Sequence, residues 1–195
     1  HGEILGVALK PGEPDTVLAA GAEAGMFRST DGGNTWEPAN VGLSTQLLHQ
    51  VTFAPSNPDV AYVATHNGIY RSDDAGVSWV ERNQGLLYRF TTPIAVDPRD
   101  EDVVFAGSAS EVYTTHPNHF NPGLHEGEGL YKSTDGGRNW FRSDTGIDEA
   151  KLVQMATHPS LPFNLWADGE SGRGAFFTPD AGQNWLFSPN HAAHY

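Results

Sequence analysis

Apolar and polar positions alternate with a period of two along short runs, and the runs are separated by turn residues, which predicts strands and gives no helical periodicity. Four runs close on a proline: GVALKP at Pro11, VTFAP at Pro55, IAVDP at Pro98 and QMATHP at Pro159. A proline cannot donate to a ladder, so it marks a strand end. Seven residues past each proline comes Leu18, Tyr62, Phe105 or Trp166, inside the β-rich runs TVLAA, VAYVAT, VVFAGS and NLWAD. These runs predict a second strand. A third follows a glycine in GMFRS, GIYRS, GLYKS and GAFFT, and a fourth begins at a tryptophan in TWEPA, SWVER, NWFRS and NWLFS.

The third and fourth runs are joined by an eight-residue box, Ser/Thr-x-Asp-x-Gly-x-Thr/Ser/Asn-Trp, which occurs four times. The copies are Ser29 to Trp36, Ser72 to Trp79, Ser133 to Trp140 and Thr178 to Trp185. From each box aspartate (Asp31, Asp74, Asp135) to the next proline is 24 residues, while the proline-to-aspartate spacings are 20, 19, 37 and 21. The third unit therefore carries an insertion of about 17 residues at one place. Gly33, Gly76, Gly137 and Gly182 supply the positive φ that a hairpin corner needs. Asp31, Asp74, Asp135 and Asp180 are expected to accept backbone N–H groups across the turn, helped by the preceding Ser or Thr. Trp36, Trp79, Trp140 and Trp185 are each expected to fold onto the sheet and bury.

Four short strands per unit of about 43 residues predict an all-β chain, a β-propeller of four four-stranded antiparallel blades forming one domain over 1–195. The blades fall at about 1–42, 43–85, 86–146, with the insertion at 110–128, and 147–195. Three arrangements stay open: a small closed ring, half of a ring completed by a second copy, or part of a six- to eight-bladed chain. An open arrangement would expose the apolar faces of its end blades.

On these boxes the chain resembles the Asp-box repeat proteins, whose motif is also called the bacterial neuraminidase repeat. The resemblance extends over nearly the whole chain. It implies a propeller of the kind shared by sialidases, xyloglucan-cleaving endoglucanases, sortilin receptors and photosystem II assembly factors. It also implies structural boxes lying away from the active face and a secreted or periplasmic location.

Charge narrows the partners. There are 11 basic and 24 acidic residues among 195, a net charge of −13, and an acidic surface repels nucleic acid and anionic lipid. No run is long and apolar enough for a membrane helix, so membrane insertion is not expected. Without cysteine, thiol chemistry is excluded. No cofactor is expected.

Loops joining second to third strands, and fourth strands to the next blade, converge on one face around the channel of a propeller, where ligands bind. The repeat places Glu23, His66 and Asn67, the insertion, Asp168, Glu170 and Arg173 there, together with His49, Tyr88, Arg89, Asp148, Glu149 and Lys151. The insertion holds Tyr113, His116, His119, Phe120, His125, Glu126 and Glu128. Its rings suit stacking on a protein or glycan. Its three histidines are the candidates for a metal site, with solvated loop decoration the reading preferred over it. Glycoside hydrolysis needs two facing carboxylates, for which Glu23, Glu126, Glu128, Asp168 and Glu170 are the candidates. A sialidase pattern also needs an arginine triad, and only Arg89 and Arg173 fall on that face.

The box run at Asp31 lacks the ligand ladder of a calcium loop. An amino-terminal copper site at His1 and the His191/His194 pair carry no further support. The leading expectation is a non-catalytic module binding a protein or carbohydrate partner through His49, His66, Arg89, Tyr113, His116, His119, His125 or Arg173. A glycan hydrolase and a partial ring that assembles with a second chain are the alternatives.

Overall fold

A computed structural model describes residues 2–109, 129–147, 152–161, 163–169 and 175–188. The described residues hold sixteen strands and no helix, arranged as four antiparallel sheets of four consecutive strands. Blade one holds β1 (Glu3–Lys10), β2 (Glu13–Ala22), β3 (Gly25–Ser29) and β4 (Glu37–Pro38). Blade two holds β5 (Leu48–Phe53), β6 (Ala61–Thr65), β7 (Gly68–Ser72) and β8 (Val80–Glu81). Blade three holds β9 (Phe90–Asp97), β10 (Asp100–Ala109), β11 (Gly129–Ser133) and β12 (Phe141–Arg142). Blade four holds β13 (Leu152–Thr157), β14 (Leu165–Gly169), β15 (Ala175–Thr178) and β16 (Leu186–Ser188). The first strands end one or two residues before the predicted prolines. The fourth strands begin just after the tryptophans and are only two or three residues long.

Each box is the corner between a third and a fourth strand, and its residue preferences have direct causes. In blade one the Ser29 hydroxyl donates to Asp31 Oδ1 at 2.7 Å and accepts the Gly33 N–H at 2.9 Å. The same Oδ1 accepts the Thr35 N–H at 2.9 Å, and Oδ2 accepts the Thr35 hydroxyl at 2.6 Å. Ser78, Asn139 and Asn184 repeat the last contact, so the residue before the tryptophan must carry a side-chain donor. The box glycines have φ between 80° and 90°, and the residue before each is also left-handed, including Ala75 and Ala181 at 55° and 57°.

These bonds favour the ionised carboxylate. Asp31 is pushed down to about 2, first by the Thr35 hydroxyl and then by the Thr35 N–H and the Ser29 hydroxyl. Asp180 is also held at about 2, led by the Asn184 N–H and carboxamide. Asp135 is lowered chiefly by the Asn139 carboxamide. At Asp74 partial burial acts upward, but the Ser78 and Ser72 bonds outweigh it and the net shift is down. An aspartate depressed below its unfolded value of about 3.9 contributes stability that is complete above that pH and lost as pH falls through the folded value. The melting temperature is therefore expected to drop between about pH 4 and pH 2, by circular dichroism, and Asp135→Asn should shrink that drop.

The indoles depart from expectation in what they cover. Trp79, Trp140 and Trp185 are each 3 % exposed, yet each packs across a seam onto the preceding blade. Trp79 donates its backbone N–H to Val41 O at 2.9 Å and its Nε1–H to Ala39 O at 3.0 Å. Trp140 does the same to Gln84 O and Arg82 O, and Trp185 to Thr145 O and Ser143 O. Trp36 is the exception to the predicted burial. It is 40 % exposed, because blade four does not cover it, and its Nε1–H turns back to Gly33 O in its own box.

From the other side of each seam, Leu18, Tyr62 and Phe105 fill the space against the next blade and are at most 1 % exposed. A Cβ on Gly76 would sit 2.5 Å from the Leu18 side chain, and one on Gly182 would sit 2.8 Å from Phe105. A third-strand cation reaches over the same seam. Arg28 Nε donates to Ala75 O at 3.0 Å, Lys132 Nζ donates to Ala181 O at 2.9 Å, and Arg71 pairs with Asp102. The core is thus three inter-blade clusters rather than one centre.

Candidate functional site at the central cleft

The first strands are irregular at a repeated position. The ladder steps over Leu5 in β1, His49 in β5 and Val153 in β13, each six residues before its marker proline, and β9 is irregular around Thr92 and Pro93. Such a bulge bends the strand and re-aims the extra residue. Leu5, His49 and Thr92 all line a cleft of about 620 Å³, which is also walled by Gln50, Gln154, Trp166 and Asp168.

At one rim of this cleft, two predicted residues meet. The His49 and His66 rings stack at 4.6 Å with an interplanar angle of 19°. Phe90, at the start of β9, closes on both, with centroids 4.9 Å from His49 and 4.7 Å from His66. The turn carrying His66 is fixed by its N–H to Leu47 O at 3.0 Å, and the Thr65 hydroxyl braces it by accepting the Asn67 N–H. Asn67 in turn donates to the Ser44 hydroxyl at 2.8 Å. The arrangement is a small aromatic platform built from two blades.

Asp168 is exposed on β14 and faces the cleft beside Trp166, which packs against Phe177 at 5.1 Å and His158 at 6.1 Å. Glu23 lies apart from the cleft lining, exposed in the β2–β3 turn with φ at 66°. Arg89 is also elsewhere. It pairs with Glu81 at 3.0 Å and lines a shallow hollow of about 540 Å³ with Arg82 and Arg138. Tyr113, His116, His119, His125, Glu126, Glu128, Glu170 and Arg173 lie outside the described residues. No group of three or more metal-ligating side chains occurs among the described residues.

Gln50, Thr92, Gln154 and Phe90 were not singled out by sequence reasoning. Gln50 Oε1 accepts the Ile94 N–H at 3.0 Å, so this carboxamide is held by the neighbouring blade. Its signal is the position five residues before the marker proline, where Gln50 and Gln154 both fall.

The four sheets, their serial order and a cleft lined by their first strands define the class: a β-propeller. Comparison with solved structures agrees. The chain superposes on an ancestral GH74 enzyme with a TM-score of 0.73 and 18 % identity, over 96 % of this chain and 24 % of that one. For the GH74 xyloglucanase from Xanthomonas campestris the values are 0.70, 18 %, 95 % and 30 %. For YCF48 from Cyanidioschyzon merolae they are 0.62, 16 %, 96 % and 56 %. The chain thus spans between about a quarter and just over half of these proteins, and at this identity the likeness defines the fold alone. No family of known sequences and no curated protein matches the chain.

Proposed function

We propose that this chain is a non-catalytic propeller module, of the Asp-box kind, that receives a protein or glycan segment at its central cleft. The observation that carries the reading is the chemistry of the cleft wall. Among the described lining residues, Asp168 is the single carboxylate, set among an imidazole, two carboxamides, a threonine and an indole. Such a surface offers hydrogen-bond donors, acceptors and a stacking face to a neutral polar chain. Hydrolysis of a glycoside by the usual route needs a second carboxylate across the bond.

The test is a glycan and peptide array followed by calorimetry on the hits. Binding is expected to weaken at least tenfold in Trp166→Ala and in the double variant His49→Ala/His66→Ala, with no reducing ends released from xyloglucan or other β-glucans. Release of reducing ends that disappears in Asp168→Asn would overturn the non-catalytic reading in favour of a hydrolase.

A further inference from the structure

In a chain built by repetition, a charged residue that breaks the pattern without serving the fold needs another reason, and three arginines do so at one seam. Arg82 stands three residues after its box tryptophan, where the other repeats carry Ala39, Ser143 and Ser188. What the fold uses at this position is the backbone. Ala39, Arg82 and Ser143 each donate an N–H to the third strand and accept the Nε1–H of the next blade's tryptophan. Arg138 holds the box position of Asn34, Val77 and Gln183. Its bond to Asp135 O at 3.3 Å is one that the neutral carboxamides of Asn34 and Gln183 make in their own boxes. Arg89 lies nine residues before its marker proline, where the other repeats have Gly2, Gln46 and Ala150. Positive charge at all three positions is therefore surplus to the architecture.

The three meet in the hollow of about 540 Å³ where blade two joins blade three, with Glu81 on its wall. At the next seam the corresponding hollow is about 210 Å³ and carries Ser143 and Gln183 in place of Arg82 and Arg138. Its cations are already engaged, Lys132 with Ala181 O and Arg142 with Asp144. Arg82 and Arg138 differ. Among the described residues neither forms an ion pair, and the Arg82 Nε–H is buried without an acceptor. A buried donor on a charged group is costly to leave unpaired. The stem of Arg82 is packed on box three, since a Cβ at Gly137 would lie 3.0 Å from the Arg82 Cβ. Arg89 does have a partner in Glu81, but both side chains are exposed, and such a pair yields readily to a stronger acceptor.

We propose that this hollow binds a phosphoryl group, as hydrogen phosphate or a phosphate monoester. Three guanidinium groups against the one carboxylate of Glu81 leave a local charge of +2, which a compact dianion neutralises and a lone carboxylate does not. Each arginine fork pairs its N–H groups with two oxygens, and a phosphoryl group offers oxygens to forks arriving from several sides. The rest of the molecule limits the size of the ligand. At a net charge of −13 it repels an extended polyanion, so the negative charge has to be concentrated at one group. The hollow shares no lining residue with the central cleft, and the inference is independent of what the cleft binds.

Calorimetry on the 195-residue chain in chloride buffer, with inorganic phosphate and glycerol 2-phosphate as probes, is expected to show one site with dissociation at about 0.1–1 mM. Acetate should bind about tenfold more weakly or not at all. Arg82→Ser and Arg138→Gln install residues that other repeats carry at those positions, so circular dichroism should show both folded while phosphate binding falls about tenfold. Glu81→Gln releases Arg89 and should tighten binding about threefold. Arg99→Gln removes the same charge from the β9–β10 turn, where Arg99 is 58 % exposed, and should leave affinity within about twofold. Tighter binding of the ester than of phosphate supports the site with a phosphorylated molecule as its ligand, and the reverse order supports it with the free ion. No saturable binding up to about 10 mM, equal affinity for acetate, indifference to both Arg82→Ser and Arg138→Gln, or an equal loss in Arg99→Gln would each overturn the proposal.

Discussion

Alanine at Gly42 is expected to cost about 4 kcal/mol or more and to lower the melting temperature by roughly 10 °C or more. At this position φ is 88°, and an added Cβ would lie 1.9 Å from the backbone carbonyl oxygen of Trp79. A left-handed backbone alone costs a side chain about 1–2 kcal/mol. The remainder comes from forcing apart two backbones, which unlike a side-chain tip have nowhere to swing. Gly12 separates the two contributions, since its φ is 77° but nothing lies within 4 Å of its Cβ position. Gly12→Ala should therefore cost only about 1–2 kcal/mol. Urea melts of the two variants measure the difference, and equal losses would show that the seam yields at little cost.

Trp140→Ala is the second large effect, expected at about 3–5 kcal/mol. It empties a buried site between blades two and three and removes the Nε1–H donated to Arg82 O at 2.8 Å. The same change at Trp36 should cost less than about 1.5 kcal/mol, because that ring already faces solvent over 40 % of its surface and bonds within its own turn. Four copies of one motif thus yield two classes of outcome.

The repeat made the blades legible because its determinants are local. A serine, an aspartate and a side-chain donor satisfy one another within seven residues, and the glycine among them takes the conformation that the corner needs. Strand order follows from that corner and from the prolines. What Trp79, Trp140 and Trp185 cover was not legible, since their carbonyl partners Ala39, Arg82 and Ser143 lie 40, 58 and 42 residues away and belong to another blade. The glycines at 42, 85 and 146 recur as regularly as the box, but their purpose is a carbonyl on the next blade and leaves no mark within the motif.

The candidate site was legible only in part for the same reason. His49 and His66 were placed on one face by repeat position, and their stacking on Phe90 depends on how blade two meets blade three. Arg89 was placed on that face too, but its chain position says nothing of Glu81, which draws it toward Arg82 and Arg138. Asp168 lies on the cleft lining because β14 continues the second-strand register of the other blades.

The stepped residue in the first strands separates what the chain folds with from what it displays. Position six before the marker proline is leucine, histidine, threonine or valine across the four repeats, while the ladder on either side persists. At Leu5, His49 and Thr92 that residue lines the cleft while the ladder around it is kept, so the surface along the axis can vary in chemistry while the blades stay the same.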